Sequence, residues 1–159
     1  MKKLFSFFST ICLFFLAGFL AAISAFLFQV FLSRQLPPNS LFELFVFVFL
    51  EEALKFFFWR NSIFLTFPII NSYKKLFFFS FLFASGFWFL EIFFLKLKLT
   101  AWPLFSAIGI LLAVHWLTTG LITSANYQLN KKNYTFSFLF FIFALLFHFV
   151  YNWLIAKNF

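Results

Sequence analysis

Three of the four acidic residues in this 159-residue chain fall deep inside strongly apolar stretches: Glu51 and Glu52 within FVFVFLEEALKFFFW, and Glu91 within a second Phe-rich run. A charge near the centre of a membrane-spanning helix costs on the order of 2.5 to 3.5 kcal/mol, so such residues need a reason to be there. Lys55 supplies part of it, lying four residues after Glu51 and three after Glu52, where it reaches either carboxylate from the next helical turn. One lysine does not neutralise two glutamates, so the surplus must meet a proton, a cation or another polar helix. Both histidines also sit in apolar stretches, His115 with Thr119 and His148 with Asn152, each pair spaced i, i+4 and hence on one helix face. Two imidazoles and two or three carboxylates are a donor set for zinc or another divalent ion, with Glu91, His115 and His148 as ligands and a bound water acidified to a pKa of about 7. An unliganded glutamate beside it takes the water's proton and delivers it to a leaving amine. The same set also works without metal: Glu51 or Glu52 polarises water directly, and a histidine with the Asn152 amide donates to the oxyanion.

The elements that position these groups are predicted to be membrane helices. The chain is 65% hydrophobic with 36 phenylalanines and a mean hydropathy of +1.04, far more apolar surface than a soluble domain of this size could cover. We read one integral membrane domain, all-α, a bundle of about five spans near 4–32, 41–59, 76–95, 103–125 and 135–156. The run Leu4 to Leu32 is too long for a signal peptide and is read as a retained first span without chemistry, its small residues from Ala17 to Ala25 forming a packing face. Pro37 and Pro38 stop it, and Asn39 or Ser40 caps the next helix. RNSIFLTFPIINSYKK is read as an interfacial or re-entrant piece, KLKLTAW as a loop before Pro103, NYQLNKKNY as a polar turn, and the tryptophans mostly as interfacial anchors. From these bounds Glu52, His115, His148 and Glu91 lie about 10, 15, 20 and 22 Å from the N-terminal side.

The net charge of +8 sits in short runs between apolar segments, the pattern of topology signals rather than of a nucleic-acid face. Lys2, Lys3, Arg60, Lys74, Lys75, Lys131 and Lys132 against Arg34, Lys96, Lys98 and Lys157 favour a cytoplasmic N-terminus. Cys12 is alone, which excludes an internal disulfide and a CxxC site, and no HExxH is present.

Taken in order, Glu51-Glu52-Ala-Leu-Lys55, then Gly86-Phe87-Trp88-Phe89-Leu90-Glu91, then His115-Trp-Leu-Thr-Thr119, then His148-Phe-Val-Tyr-Asn152, resemble the motifs of PrsW-type intramembrane proteases, within the wider superfamily of CAAX prenyl endopeptidases and bacteriocin-processing (CPBP) proteins. The resemblance spans Glu51 to Asn152; Phe94 and Leu95 stand where those proteins commonly carry a tyrosine after the second-motif Glu. It implies a membrane-embedded metallopeptidase of the bacterial cytoplasmic membrane, with the paired glutamates and the histidines as essential groups and a membrane-associated protein or peptide as substrate. Two other classes stand beside it: a small proton- or ion-coupled transporter or channel using the same carboxylates and histidines as a relay, and a non-catalytic membrane scaffold or immunity protein. Neither the oligomeric state nor the substrate is written in the residues.

Overall fold

In a computed structural model, residues 2–66, 72–96 and 104–158 are described, with side chains over 7–66, 72–93, 108–155 and 157. The described residues form five α-helices and no strand: α1 Lys2–Leu32, α2 Leu41–Thr66, α3 Tyr73–Lys96, α4 Leu104–Asn130 and α5 Tyr134–Asn158. In hydrocarbon every backbone N–H and C=O must be satisfied within its own segment, so long apolar runs free of proline can only be helices. Four of them, within α1, α3, α4 and α5, are long and apolar enough to cross a bilayer, which marks an integral membrane protein. α2 matches them at 26 residues, about 39 Å, but carries Glu43, Glu51, Glu52, Lys55 and Arg60. Its Glu52 and Lys55 are fully buried by the other helices.

Several boundaries differ from the sequence expectation, and the differences move the site. α2 continues seven residues past Trp59, so Arg60 to Thr66 of the supposed interfacial piece extends this helix. Ser62 and Thr66 return their hydroxyls to carbonyls one turn back, at 2.9 and 2.7 Å, which hides polar groups that would otherwise argue for a loop. α4 likewise runs through most of the expected polar turn to Asn130, leaving a tight connection in which Lys132 takes φ 60° and Asn133 N–H donates to the Gln128 carbonyl at 2.9 Å. Pro68 of the expected re-entrant piece, the KLKLTAW loop beyond Lys96 and Pro103 lie outside the described residues. Ser40 is the N-cap of α2: its hydroxyl accepts from Glu43 N–H at 3.0 Å, while the Glu43 carboxylate accepts at 2.7 Å from the N–H of Asn39, the residue before the cap, a variant of the capping box that gives Glu43 a structural role.

The helices form a ring in which α1 packs on α3, α3 on α4, α4 on α5, and α2 closes it between α5 and α1 while also touching α4. α1 and α3 cross at two glycines. A Cβ on Gly18 would stand 1.9 Å from the Phe83 carbonyl oxygen, and one on Gly86 would stand 2.0 Å from that of Phe15. Helices in lipid gain nothing by hiding apolar surface from one another, so close backbone approach at small residues is what holds them. Ala17, Ala21, Ala22 and Ala25 of α1 are buried at this face. Beside it Trp59 packs at 4.7 Å between ring centroids on Phe14 and at 5.5 Å on Phe83. Trp59, expected as an interfacial anchor, is thus fully buried, because α2 does not end there.

Candidate active site

The longer helices bring the polar residues to one level. Counted from Thr66, Asn130 and Tyr134, the helix ends on the side where α1 begins, Glu52, His115 and His148 lie fourteen, fifteen and fourteen residues deep. That is about 21 to 23 Å for all three, with Glu91 at about 27 Å from Tyr73. The spread expected from the sequence came from cutting α2 and α4 short.

At that level the side chains form one continuous polar chain. Glu91 on α3 accepts from His115 Nε2 on α4. His115 Nδ1 stands 3.1 Å from Lys55 Nζ on α2, and the same ammonium donates to Glu52 Oε1 at 2.6 Å. Glu52 Oε1 also accepts from His148 Nδ1 on α5 at 2.6 Å. The other nitrogen of that ring, Nε2, faces Glu51 Oε2 at 3.4 Å, and Glu51 Oε1 accepts from Gln29 Nε2 on α1 at 2.6 Å. Every helix of the bundle contributes. Phe87 floors the cluster, with Lys55 Nζ 4.5 Å and the His115 ring 5.0 Å from its centroid. The two imidazoles meet edge to face at 5.4 Å.

These contacts assign the protons. An ammonium donates only, so His115 Nδ1 accepts from Lys55 and carries its hydrogen on Nε2, toward Glu91. A carboxylate accepts only, so His148 donates from Nδ1 to Glu52. Two acceptors, His148 Nε2 and Glu51 Oε2, are then left facing each other, both buried and without a hydrogen-bond partner among the described residues. A proton on either, or the O–H of a third molecule, satisfies both. Glu52 Oε2 is a third unpartnered buried acceptor in the same cluster. The two glutamates therefore differ: Glu52 is fully enclosed and tied by two charged or polarised donors, whereas the Glu51 side chain is 12% exposed and keeps one oxygen uncommitted. Glu91, 28% exposed, is the most open member, and its carboxylate turns to His115.

Gln29 was missed because a single amide near the C-terminal end of a long apolar helix carries no motif or periodicity; the helix expected to carry no chemistry supplies a donor to Glu51. Thr119 is buried one turn beyond His115, its hydroxyl unpartnered among the described residues. Asn152 lies half-buried one turn beyond His148, its side-chain amide hydrogen-bonded to none of the described residues.

The donors expected for a metal were Glu91, His115 and His148. Both ring nitrogens of His115 are already engaged, by Glu91 and Lys55, and among the described residues no three His, Cys, Asp or Glu side chains are gathered as a metal centre. The uncommitted donors are His148 Nε2 and the free oxygens of Glu51 and Glu52. They are of types zinc takes, and a lysine ammonium shares the Glu52 carboxylate with them.

Comparison of the chain with models of known protein families, with characterised proteins and with solved structures returns no match.

Proposed function

We propose that the protein is an intramembrane peptidase, of the kind its PrsW-like motif order suggests, acting on a membrane-associated protein or peptide in a bacterial cytoplasmic membrane with its N-terminus in the cytoplasm. The observation that carries the reading is the pair of buried acceptors, Glu51 Oε2 and His148 Nε2, facing each other at 3.4 Å inside a bundle of apolar helices. Water brought to them has one hydrogen for each. Glu51 is the general base: its free oxygen takes a proton from that water as the water oxygen attacks the scissile carbonyl carbon. The same carboxyl then gives the proton to the amine as the C–N bond breaks. His148, held by Glu52 through Nδ1, orients the water through Nε2. Lys55 holds Glu52 in place, and His115, held between Lys55 and Glu91, walls the cluster beside the His148 ring. The Asn152 amide, one turn along α5, is the donor for the oxyanion. The ion that the motif resemblance implies would supply an acidified water and a Lewis acid; no step above depends on it.

The test is cleavage of single-span peptides in proteoliposomes, read by mass spectrometry. Glu51→Gln is expected to lower the rate at least about hundredfold, the contribution typical of a general base, and Glu52→Gln and His148→Ala to be similarly inactive. Full cleavage by Glu51→Gln would refute the mechanism. Exhaustive chelation followed by zinc addition in the same assay reads the metal directly.

A second reading is favoured by one feature, the run of polar contacts from Glu91 to Glu51 through four helices, open to a proton at its His148–Glu51 step, which is the form of a proton relay. Proton flux in the same proteoliposomes, abolished by His115→Ala and unaccompanied by cleavage, would replace the peptidase with a proton-coupled transporter.

A further inference from the structure

We infer that Gln29 of α1 is a positioning residue for Glu51, so that the first helix is part of the site and not an accessory to it. A carboxylate side chain has two equivalent oxygens and rotates freely about its last bond unless one oxygen is held. Gln29 Nε2 holds Oε1 at 2.6 Å. With that oxygen taken, Oε2 is the one presented to His148 Nε2. No other described group donates to Glu51. The amide is also suited to the task chemically: it is neutral, so it fixes the carboxylate without adding a second positive charge to the cluster beside that of Lys55.

The placement of Gln29 is set by the α1–α3 crossing. Gly18 and Gly86 lock α1 against α3 by backbone contact, and Gln29 lies eleven residues, about three turns, further along, where α1 meets α2. It is half-buried, three residues before the last residue of α1, in a helix whose neighbouring side chains Phe28 and Val30 face outward. A glutamine on a lipid-facing helix has no other partner to justify its burial, and its bond crosses between helices rather than returning to its own backbone as the Ser24 and Ser33 hydroxyls do.

The catalytic half of this inference rests on the peptidase reading, and the experiment separates the two. Gln29→Met keeps the length and packing of the side chain and removes the donor; Gln29→Glu with Glu51→Gln exchanges donor and acceptor and rebuilds the bond with the carboxylate on α1. Unfolding of the full chain in mixed micelles should couple positions 29 and 51: the exchanged pair should be more stable than the sum of its single variants, and additivity would overturn the contact. On a peptide that the unaltered protein cleaves, Gln29→Met should lower kcat about tenfold with KM unchanged, and the exchanged pair should remain inactive despite its restored stability. Unchanged kcat in Gln29→Met, or activity regained in the exchanged pair, would reduce Gln29 to a packing contact and overturn the proposal. Absence of cleavage by the unaltered protein would remove the peptidase reading and the catalytic half with it, while the stability cycle would still decide whether Gln29 holds Glu51.

Discussion

Replacing Gly86 with alanine should do more damage than any other glycine substitution on the described helices save its counterpart Gly18→Ala, and the size of the effect follows from the geometry. The new Cβ would stand 2.0 Å from the Phe15 carbonyl oxygen, 2.9 Å from its carbon and 3.2 Å from the Phe19 nitrogen. A carbon–oxygen contact settles at about 3.3 Å, so α1 and α3 must part by about 1.3 Å. All three obstructing atoms are backbone, and no rotamer change relieves them. A gap of 0.5 to 1 Å already forfeits roughly a quarter to a half of each contact's attraction along the seam, and overpacking of this kind costs about 1 to 3 kcal/mol. The other two glycines calibrate the measurement. A Cβ on Gly120 meets only the Phe77 ring edge at 3.2 Å, which a small ring rotation relieves, and one on Gly109 meets nothing within 4 Å. Gly109→Ala should therefore be neutral or stabilise by up to about 1 kcal/mol, the helix-propensity gain. Detergent-titration unfolding of the four variants should rank Gly18→Ala and Gly86→Ala as most destabilised, Gly120→Ala next and Gly109→Ala last. Equal effects at Gly86 and Gly109 would refute the proposed crossing, and with it the account of how α1 is held so that Gln29 reaches Glu51.

Two further outcomes follow from the buried charges and the helix cap. Lys55→Met leaves Glu52 enclosed with His148 as its one remaining donor and should cost about 3 to 5 kcal/mol, the usual penalty for stranding one partner of a buried ion pair. Adding Glu52→Gln should recover part of that loss, and the same unfolding assay would contradict the ion-pair account if the double variant were no better than the single. Ser40→Ala should cost about 1 kcal/mol and speed hydrogen exchange at the first amides of α2, Glu43 N–H among them; unchanged exchange there would show that the capping box does not secure this end.

Much of the architecture could be read from residues alone, because in lipid the constraint on each segment is local. A helix satisfies its own backbone, so α1, α3 and α5 announce themselves as unbroken apolar runs ended by prolines or lysine pairs. The errors came where polarity was compensated nearby. Arg60, Asn61 and Ser62 suggested the end of α2, yet Asn61 and Ser62 donate back to carbonyls of the preceding turn at 3.0 and 2.9 Å, and the helix continues. That misjudged end displaced Glu52 by about 10 Å in the estimated depth, and the same error at Asn130 blurred the level shared with His115 and His148.

What the sequence determined by itself was the inventory: two glutamates and a lysine on one helix, an acid and two imidazoles on three others, all priced out of lipid unless they found one another. Which atoms pair was decided only in three dimensions. Glu51 and Glu52 are adjacent in the chain and point about 100° apart around a helix, so only the neighbours could tie one between Lys55 and His148 and leave the other an oxygen to spare. Gln29 makes the same point from the other direction. A single amide carries no periodicity and no motif, and its meaning depends on a partner 22 positions away, delivered by two glycines that let α1 and α3 touch.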